Sequence, residues 1–390
     1  MSALASSKIG SPRWSAGWPN SSAPPPALPD DLAREIAKAD PAAFDRALDR
    51  EIAAACDRFA LGVESYRRHA FRRPEEAART VWRRGAATLL DHGGADSGIP
   101  VLFIPSLINR GWVLDLIPGE GMLSWLAGQG IHPYRIEWGA PGPEELNFDI
   151  ADYVRRRLDP AIGAVRRIAG RPIVLAGYCM GGLLTIAAAL RRPDDIAALA
   201  LLGTPWDFHT EGPEGGQATG AAYRLLRPIF QLAGSLPIDA IQAFFALHDP
   251  VVALRKFQRF ATLDPASADA RQFVALEDWL NEGVALSLPV ADDAILGWRQ
   301  DNAPARGAWR VGGAAVDPAA LKMPVLVATP GTDRIVPPAS AAAILPRLAN
   351  VERLDPPLGH IGMVVGRQAP TALWAPLADW LRRAGGQRAA

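Results

Sequence analysis

Cysteine is scarce: Cys56 and Cys179 are the only two in 390 residues. A disulfide scaffold is therefore excluded, and the cytoplasm is the expected compartment. An excess of charge is missing too, because 41 Lys and Arg balance 41 Asp and Glu. That balance argues against an extended nucleic-acid footprint or a polybasic membrane anchor, though not against a local basic pocket. No apolar run approaches the roughly 18 residues of a membrane span, and the longest, around Ile196 to Leu202, is strand-sized. Met1 to Asn20 holds no apolar core of the kind a secretory signal needs. No internal repeat is visible. What is present is ordinary for a globular chain, with 49% hydrophobic and 21% charged residues. Glycine (36) and proline (35) are plentiful, so many turns or a linker are expected.

Composition divides the chain. Ser11 to Pro29 is rich in Pro, Ser and Ala and cannot pack a core. Residues 1–30 are expected to be a disordered or extended arm, in which Trp14 and Trp18 stand out. An N-terminal helical region over 31–79 follows. Asp40 suits its cap and Pro41 its first turn, while Phe44, Leu48, Ile52, Cys56 and Phe59 form an apolar stripe in which Cys56 reads as a buried small hydrophobe. From residue 80, short apolar runs alternate with helical stretches. Val101–Pro105, Tyr134–Trp138, Ile173–Gly177, Ala198–Gly203, Val325–Thr329 and Val351–Leu354 read as strands, and Pro160 should kink one of the helices between them. Continuous apolar strands alternating with helices predict an α/β fold, a mostly parallel sheet with helices on both faces. Its core spans 80–204 and 324–384. The intervening 205–323 is helical in pattern and rich in aromatics such as Phe230, Phe244, Phe245, Trp279 and Trp298, as a cap or lid would be.

The sharpest local signal is Gly177-Tyr178-Cys179-Met180-Gly181-Gly182, between a predicted strand and a predicted helix. This is the strand–turn–helix setting of a nucleophile elbow, with Cys where Ser is commoner. The turn is tight enough to demand glycine, and the helix start favours a thiolate and a developing oxyanion. The Met180 amide is one candidate oxyanion donor. A second is expected from the loop after the first core strand, near Leu107 or Ile108, with Ile108 preferred. In this fold the acid and then the His follow the nucleophile along the chain. His209, His248 and His360 are the histidines downstream of Cys179. His360, in Gly359-His360-Ile361-Gly362 after the last predicted strand, is in the place of the base. Asp333, in the loop after Val325–Thr329, is in the place of the acid, with Asp355 as a rival. His209 and His248 read as cap or surface residues. In the cap, Arg224, Arg227, Arg255, Lys256 and Arg259 are basic and read first as a solvated face.

Taken together, these residues resemble the polyhydroxyalkanoate synthase family, of the short two-subunit type. Ser106-Leu107-Ile108-Asn109-Arg110 followed by Val113-Leu114-Asp115-Leu116 resembles the family's loop after the first strand. Ile136-Glu137-Trp138-Gly139 resembles its IDWG, Gly177 to Gly182 its cysteine lipase box, and Thr204-Pro205-Trp206-Asp207-Phe208 its TPVDF. Glu277-Asp278-Trp279, Asp333-Arg334-Ile335-Val336-Pro337-Pro338 and Gly359-His360-Ile361-Gly362 complete the order. The resemblance implies an α/β-hydrolase fold and acyl transfer from (R)-3-hydroxyacyl-CoA onto a growing polyester, with release of CoA. It implies Cys179 as the acylated nucleophile, His360 as the base and Asp333 as its acid partner. It further implies no cofactor or metal beyond the CoA thioester substrate, a helper synthase subunit, a homodimer, and a place at the surface of cytoplasmic polyester granules.

Three features depart from the pattern. Arg334 stands where the family usually has His, Tyr178 stands where it usually has an aliphatic residue, and the region before residue 80 matches poorly. The same cysteine machinery also serves a hydrolase, either a thioesterase or an intracellular polyester depolymerase, and fold and site residues do not separate the two. A non-catalytic granule protein that kept the fold is the third reading.

Overall fold

The computed structural model describes residues 29–246 and 251–386. The expected arm up to residue 28, with Trp14 and Trp18, lies outside the described residues, as does His248. The side chains of Phe244 and Phe245 lie outside them as well.

The chain divides into two units, Met1–Phe71 with Phe245–Val274, and Arg72–Phe244 with Ala275–Ala390. In the first, a helix Asp30–Lys38 precedes a long helix Pro41–Arg68, and the Asp40 carboxylate caps the latter by accepting from the Ala43 amide at 2.9 Å. The long helix packs on the helix Val252–Phe260. Phe59 and Tyr66 meet Phe257 edge-on at 5.9 and 5.8 Å, and a Cβ on Gly62 would lie 2.0 Å from the Phe257 carbonyl oxygen. The apolar stripe of the long helix is thus covered by a helix of only nine residues. Cys56 is for that reason half-buried, not the fully buried hydrophobe its stripe position predicts.

The second unit holds one eight-stranded sheet. Its strands are β1 (Arg79–Arg84), β2 (Ala87–Asp91), β3 (Ile99–Ile104), β4 (Ile131–Glu137), β5 (Ile173–Tyr178), β6 (Ile196–Leu202), then, after a small hairpin of β7 (Arg310–Val311) and β8 (Ala314–Ala315), β9 (Val325–Ala328) and β10 (Val351–Leu354). The order across the sheet is β1-β2-β4-β3-β5-β6-β9-β10. From β4 to β10 all neighbours are parallel, and β2 joins β4 and β1 in antiparallel fashion. β5 and β6 are buried at every residue, which is why they read as unbroken apolar runs. The β1–β2 hairpin is not among the expected strands. β1 (RTVWRR) is an exposed edge strand carrying three arginines, so neither alternation nor an apolar run marks it.

Helices cover both faces. One of them widens into a π-helical turn at Val154–Leu158 just before Asp159–Ala169 begins. Pro160, whose ring would strike the carbonyl four residues back, accounts for this break one turn upstream of itself. Between β6 and β9 the second unit contributes Glu214–Ala233, Ile238–Ala246 up to Phe244, and Leu288–Ala291, the last running into a π-helical stretch Asp292–Gln300. The β7–β8 hairpin is the non-helical element in that stretch that the apolar pattern did not signal.

Candidate active site

The elbow lies between β5 and the helix Met180–Arg191. Cys179 sits there at φ 56° and ψ −130°, one of only two non-glycine residues with positive φ among those described. Such backbone costs about 1–3 kcal/mol and persists only where its surroundings enforce it. They do so through hydrogen bonds: the Cys179 amide donates to the Leu202 carbonyl at 2.9 Å, and the Gly182 amide donates to the Cys179 carbonyl at 3.0 Å. Close approach does the rest, since a Cβ on Gly181 would stand 2.0 Å from the Ile104 carbonyl oxygen. The thiol, half-buried, therefore stands above the carboxyl ends of β3, β5 and β6. The Met180 amide belongs to the first turn of the following helix, where amides have no acceptor within the helix.

Asp333 and His360 come from the loops after β9 and β10, and both are buried. Asp333 Oδ1 accepts from the amides of Ile335 and Val336, each at 2.8 Å, and Oδ2 faces His360 Nδ1 at 2.6 Å. With both oxygens engaged, the carboxylate can neither rotate nor drift, and Nδ1 is held as the donor. Nε2 of His360 is buried and has no aligned hydrogen-bond partner. The Cys179 side chain is its neighbour. Burial alone would lower the affinity of this imidazole for a proton, but the charge of Cys179 and the Asp333 carboxylate together push its pKa up to about 10.

Tyr178, expected at the border of the site, and Gly203, which was not, both lie against the base. The Tyr178 hydroxyl donates to the His360 carbonyl oxygen at 3.2 Å, and its ring stacks on the imidazole at 5.1 Å between centroids and 28° between planes. Gly203, at φ 56° after β6, would with a Cβ come 3.2 Å from Nδ1 and Cε1 of His360 and 3.0 Å from Met363 Cε. Gly203→Val should lower stability by about 1–2 kcal/mol through the positive φ alone and turnover at least about tenfold through displacement of the imidazole. Urea denaturation beside a turnover assay checks both effects.

The other expected residues fall elsewhere. Asp355 accepts from Arg353 Nε at 2.8 Å and from the Thr329 hydroxyl, so its carboxylate is engaged away from His360. His209 Nε2 faces the carbonyl oxygens of Arg299 and Gln300 at 3.2 and 3.0 Å. Arg227, from the basic cap set, is bound in two-pronged fashion by Asp292 at 2.8 and 2.6 Å.

The loop after β3 is braced from both sides. The Ile108 amide donates to Ser106 Oγ at 3.1 Å, and the Ile108 carbonyl accepts from the Val284 amide at 3.3 Å. Trp279 Nε1 donates to the Arg110 carbonyl at 2.7 Å, joining two of the family-like motifs. From the sheet side, Glu137 Oε2 accepts from the Gly111 amide at 3.0 Å and from Arg135 Nη1 at 2.6 Å. Arg135 is itself buried and bound to Glu76 at 2.6 Å. Glu76, His92 and Asp115 have potential ligand atoms within 4.8 Å of one another. The Arg135 guanidinium already supplies the cation they face, and burial together with that charge drives the His92 pKa down to about 4.

Comparison with known proteins bears on the fold and the family. Residues 138–366 match the model of a family described as alpha/beta hydrolase fold. The poly(3-hydroxyalkanoate) polymerase subunit PhaC of Haloferax mediterranei is 28% identical over 72% of this chain and 58% of its own length. That of Haloarcula marismortui is 26% identical over 72% of this chain and 60% of its own length. The chain thus spans about six tenths of the length of these relatives. Among solved structures, BpoC of Mycobacterium tuberculosis H37Rv superposes with a TM-score of 0.51 at 17% identity, covering 80% of this chain and 99% of its own, a likeness of fold alone. Among the described residues, no helix is long and apolar enough to cross a membrane.

Proposed function

This chain belongs to the alpha/beta hydrolase fold family, and we propose that within it the chain is an acyltransferase that polymerises (R)-3-hydroxyacyl units from CoA thioesters through an acyl-enzyme on Cys179. The observation that supports this most is the cysteine at φ 56° beside a buried imidazole whose Nδ1 is tied to Asp333 at 2.6 Å. The curated relatives are named as polyhydroxyalkanoate polymerase subunits, which supports the choice of substrate and product.

In the first half-reaction the Cys179 sulfur attacks the thioester carbonyl. A new carbon–sulfur bond forms, the bond to CoA breaks, and the departing CoA thiolate takes the proton from the imidazolium. The Met180 amide is the proposed oxyanion donor, with the loop around Ile108 supplying the second. One thioester replaces another, so the step is nearly isoenergetic and the acyl group can leave again. In the second half-reaction His360 Nε2 takes the proton of an incoming hydroxyl as its oxygen attacks the acyl carbon. An ester forms, and the Cys179 sulfur leaves and regains a proton. General-base help of this kind is worth roughly 10²–10⁴-fold. Asp333 holds the tautomer that leaves Nε2 open. Thiol and imidazole supply every proton transfer and the carboxylate orients the imidazole, so the reaction as proposed asks for no metal or cofactor.

Acylation also changes the base. Once the sulfur carries an acyl group, its charge no longer holds the imidazolium, while burial still disfavours that cation. The imidazole then gives up its proton more readily, as deprotonation of the hydroxyl requires. A cytoplasmic setting is supported by the two free cysteines. That the relatives are named as subunits supports a helper subunit; a homodimer and a place on the polymer surface enter the proposal through the family resemblance alone.

Incubation with 3-hydroxybutyryl-CoA tests the reading. The expected outcome is CoA release with a chain product insoluble in water. Release of CoA with only free 3-hydroxybutyrate would instead assign the chain to hydrolysis, and no release with or without an added helper subunit would overturn both.

A further inference from the structure

We propose that Tyr178 is a positioning residue for His360, holding the loop of the base through its hydroxyl and the ring of the base through its face. This rests on the assignment of Cys179 and His360 made above, and deepens it. A phenol hydroxyl buried without a partner is costly, so its bonding choice carries information. Here the hydroxyl crosses 182 positions of sequence to the main-chain oxygen of the base itself. The loop after β10 is thereby pinned to the end of β5, the strand that carries the nucleophile. The phenol face lies over the imidazole at 5.1 Å. A cation within about 6 Å of an aromatic centroid is attracted by the ring's negative face. The ring therefore favours the imidazolium form of His360. An aliphatic side chain would fill the same space and supply neither effect.

The ionisable groups that face His360 are Asp333 from the loop after β9 and Cys179 and Tyr178 from the elbow. Gly203, at the end of β6, adds only backbone. Burial first, then the charges of Cys179 and Asp333, hold the phenol well above its ordinary range. Tyr178 thus remains a neutral donor at any working pH, and what it alters is the neighbour, not its own charge.

The test uses the full chain carrying Cys56→Ser, so that one thiol remains, with Tyr178→Phe and Tyr178→Leu made in it. The readouts are kcat and KM with 3-hydroxybutyryl-CoA, the pH dependence of Cys179 alkylation by iodoacetamide, and melting temperature. Tyr178→Phe keeps the ring and loses the hydroxyl. Its alkylation midpoint should stay in place while kcat falls about five- to tenfold at unchanged KM. Tyr178→Leu loses the ring as well. Its kcat should fall further, and its alkylation midpoint should move about half a unit or more toward higher pH, because the thiolate loses part of its counter-ion. Variants that shift only the melting temperature, with kcat, KM and midpoint as in the parent, would reduce Tyr178 to packing and overturn the proposal. Should Tyr178→Leu not fold, Tyr178→Phe decides by its kcat. The alkylation profile needs no acyl substrate, so it reads the influence of Tyr178 even if Cys179→Ala proves active and the acyl-enzyme reading fails.

Discussion

Cys179→Ala should lower CoA release and polymer formation by at least about 10⁴-fold while leaving the fold intact. The loss is large because nothing else can take the place of the sulfur. Cys56, the one other cysteine, belongs to the other unit of the chain. The backbone turn at residue 179 is enforced by hydrogen bonds to Leu202 and Gly182 that involve only main-chain atoms, so alanine inherits it. Melting temperature should accordingly move by no more than a few degrees, which separates lost chemistry from lost structure. Cys179→Ser should also be poor, because a hydroxyl is a far weaker nucleophile than a thiolate and its ester is a deeper resting point. An alanine variant that retains more than a tenth of parental turnover would sink the acyl-enzyme account.

His360→Gln should cost about 10²–10⁴-fold in turnover, and the loss should fall on both half-reactions. Without the imidazolium the thiolate loses its counter-ion, and without the imidazole the incoming hydroxyl loses its base. Stability carries a second signature. Burial opposes the imidazolium, but Cys179 and Asp333 outweigh it and raise the pKa in the folded chain from the ordinary 6.5 to about 10. A group raised in this sense contributes stability that is fully present below the unfolded value and is lost as pH climbs through the folded one. The melting-temperature gap between parent and His360→Gln should therefore be widest near neutral pH or below and should close toward pH 10. Thermal melts across that range, with turnover measured beside them, check both statements. A gap that widens with pH would mean that the imidazole is buried neutral.

Much of this site was legible before any coordinates, for reasons that differ by residue. The elbow was legible because tight turns are chemically specific: few arrangements other than a nucleophile between glycines satisfy a strand that must reverse into a helix at once. Asp333 and His360 were legible from place, each in the loop after a strand-sized apolar run. β1 was not, because an edge strand loaded with arginine leaves no hydrophobic signature. The partnership of Tyr178 with His360 was also hidden, since nothing local marks a contact between residues 178 and 360. Tyr178 stood out only as an unusual neighbour of the cysteine. Likewise Trp279 and Arg110 were visible as motif members, but their hydrogen bond, which ties the loop after β3 to the segment around residue 279, is a tertiary fact. The half-burial of Cys56 is hidden for a similar reason: a stripe says which face is apolar, not how wide its cover will be.

The position of β9 has a consequence for synthesis. β6 is wholly apolar and pairs on one side with β5, but its other neighbour is β9, more than a hundred residues downstream. A nascent chain emerging from the ribosome must hold that flank unzipped until Val325–Ala328 arrives, with hydrogen-bonding groups bared on a sticky ribbon. Stalled or truncated products ending before residue 325 are therefore prime clients for chaperones, and they carry a cysteine with neither its acid nor its base. On the proposed assignment, chemistry cannot begin until His360 has been made.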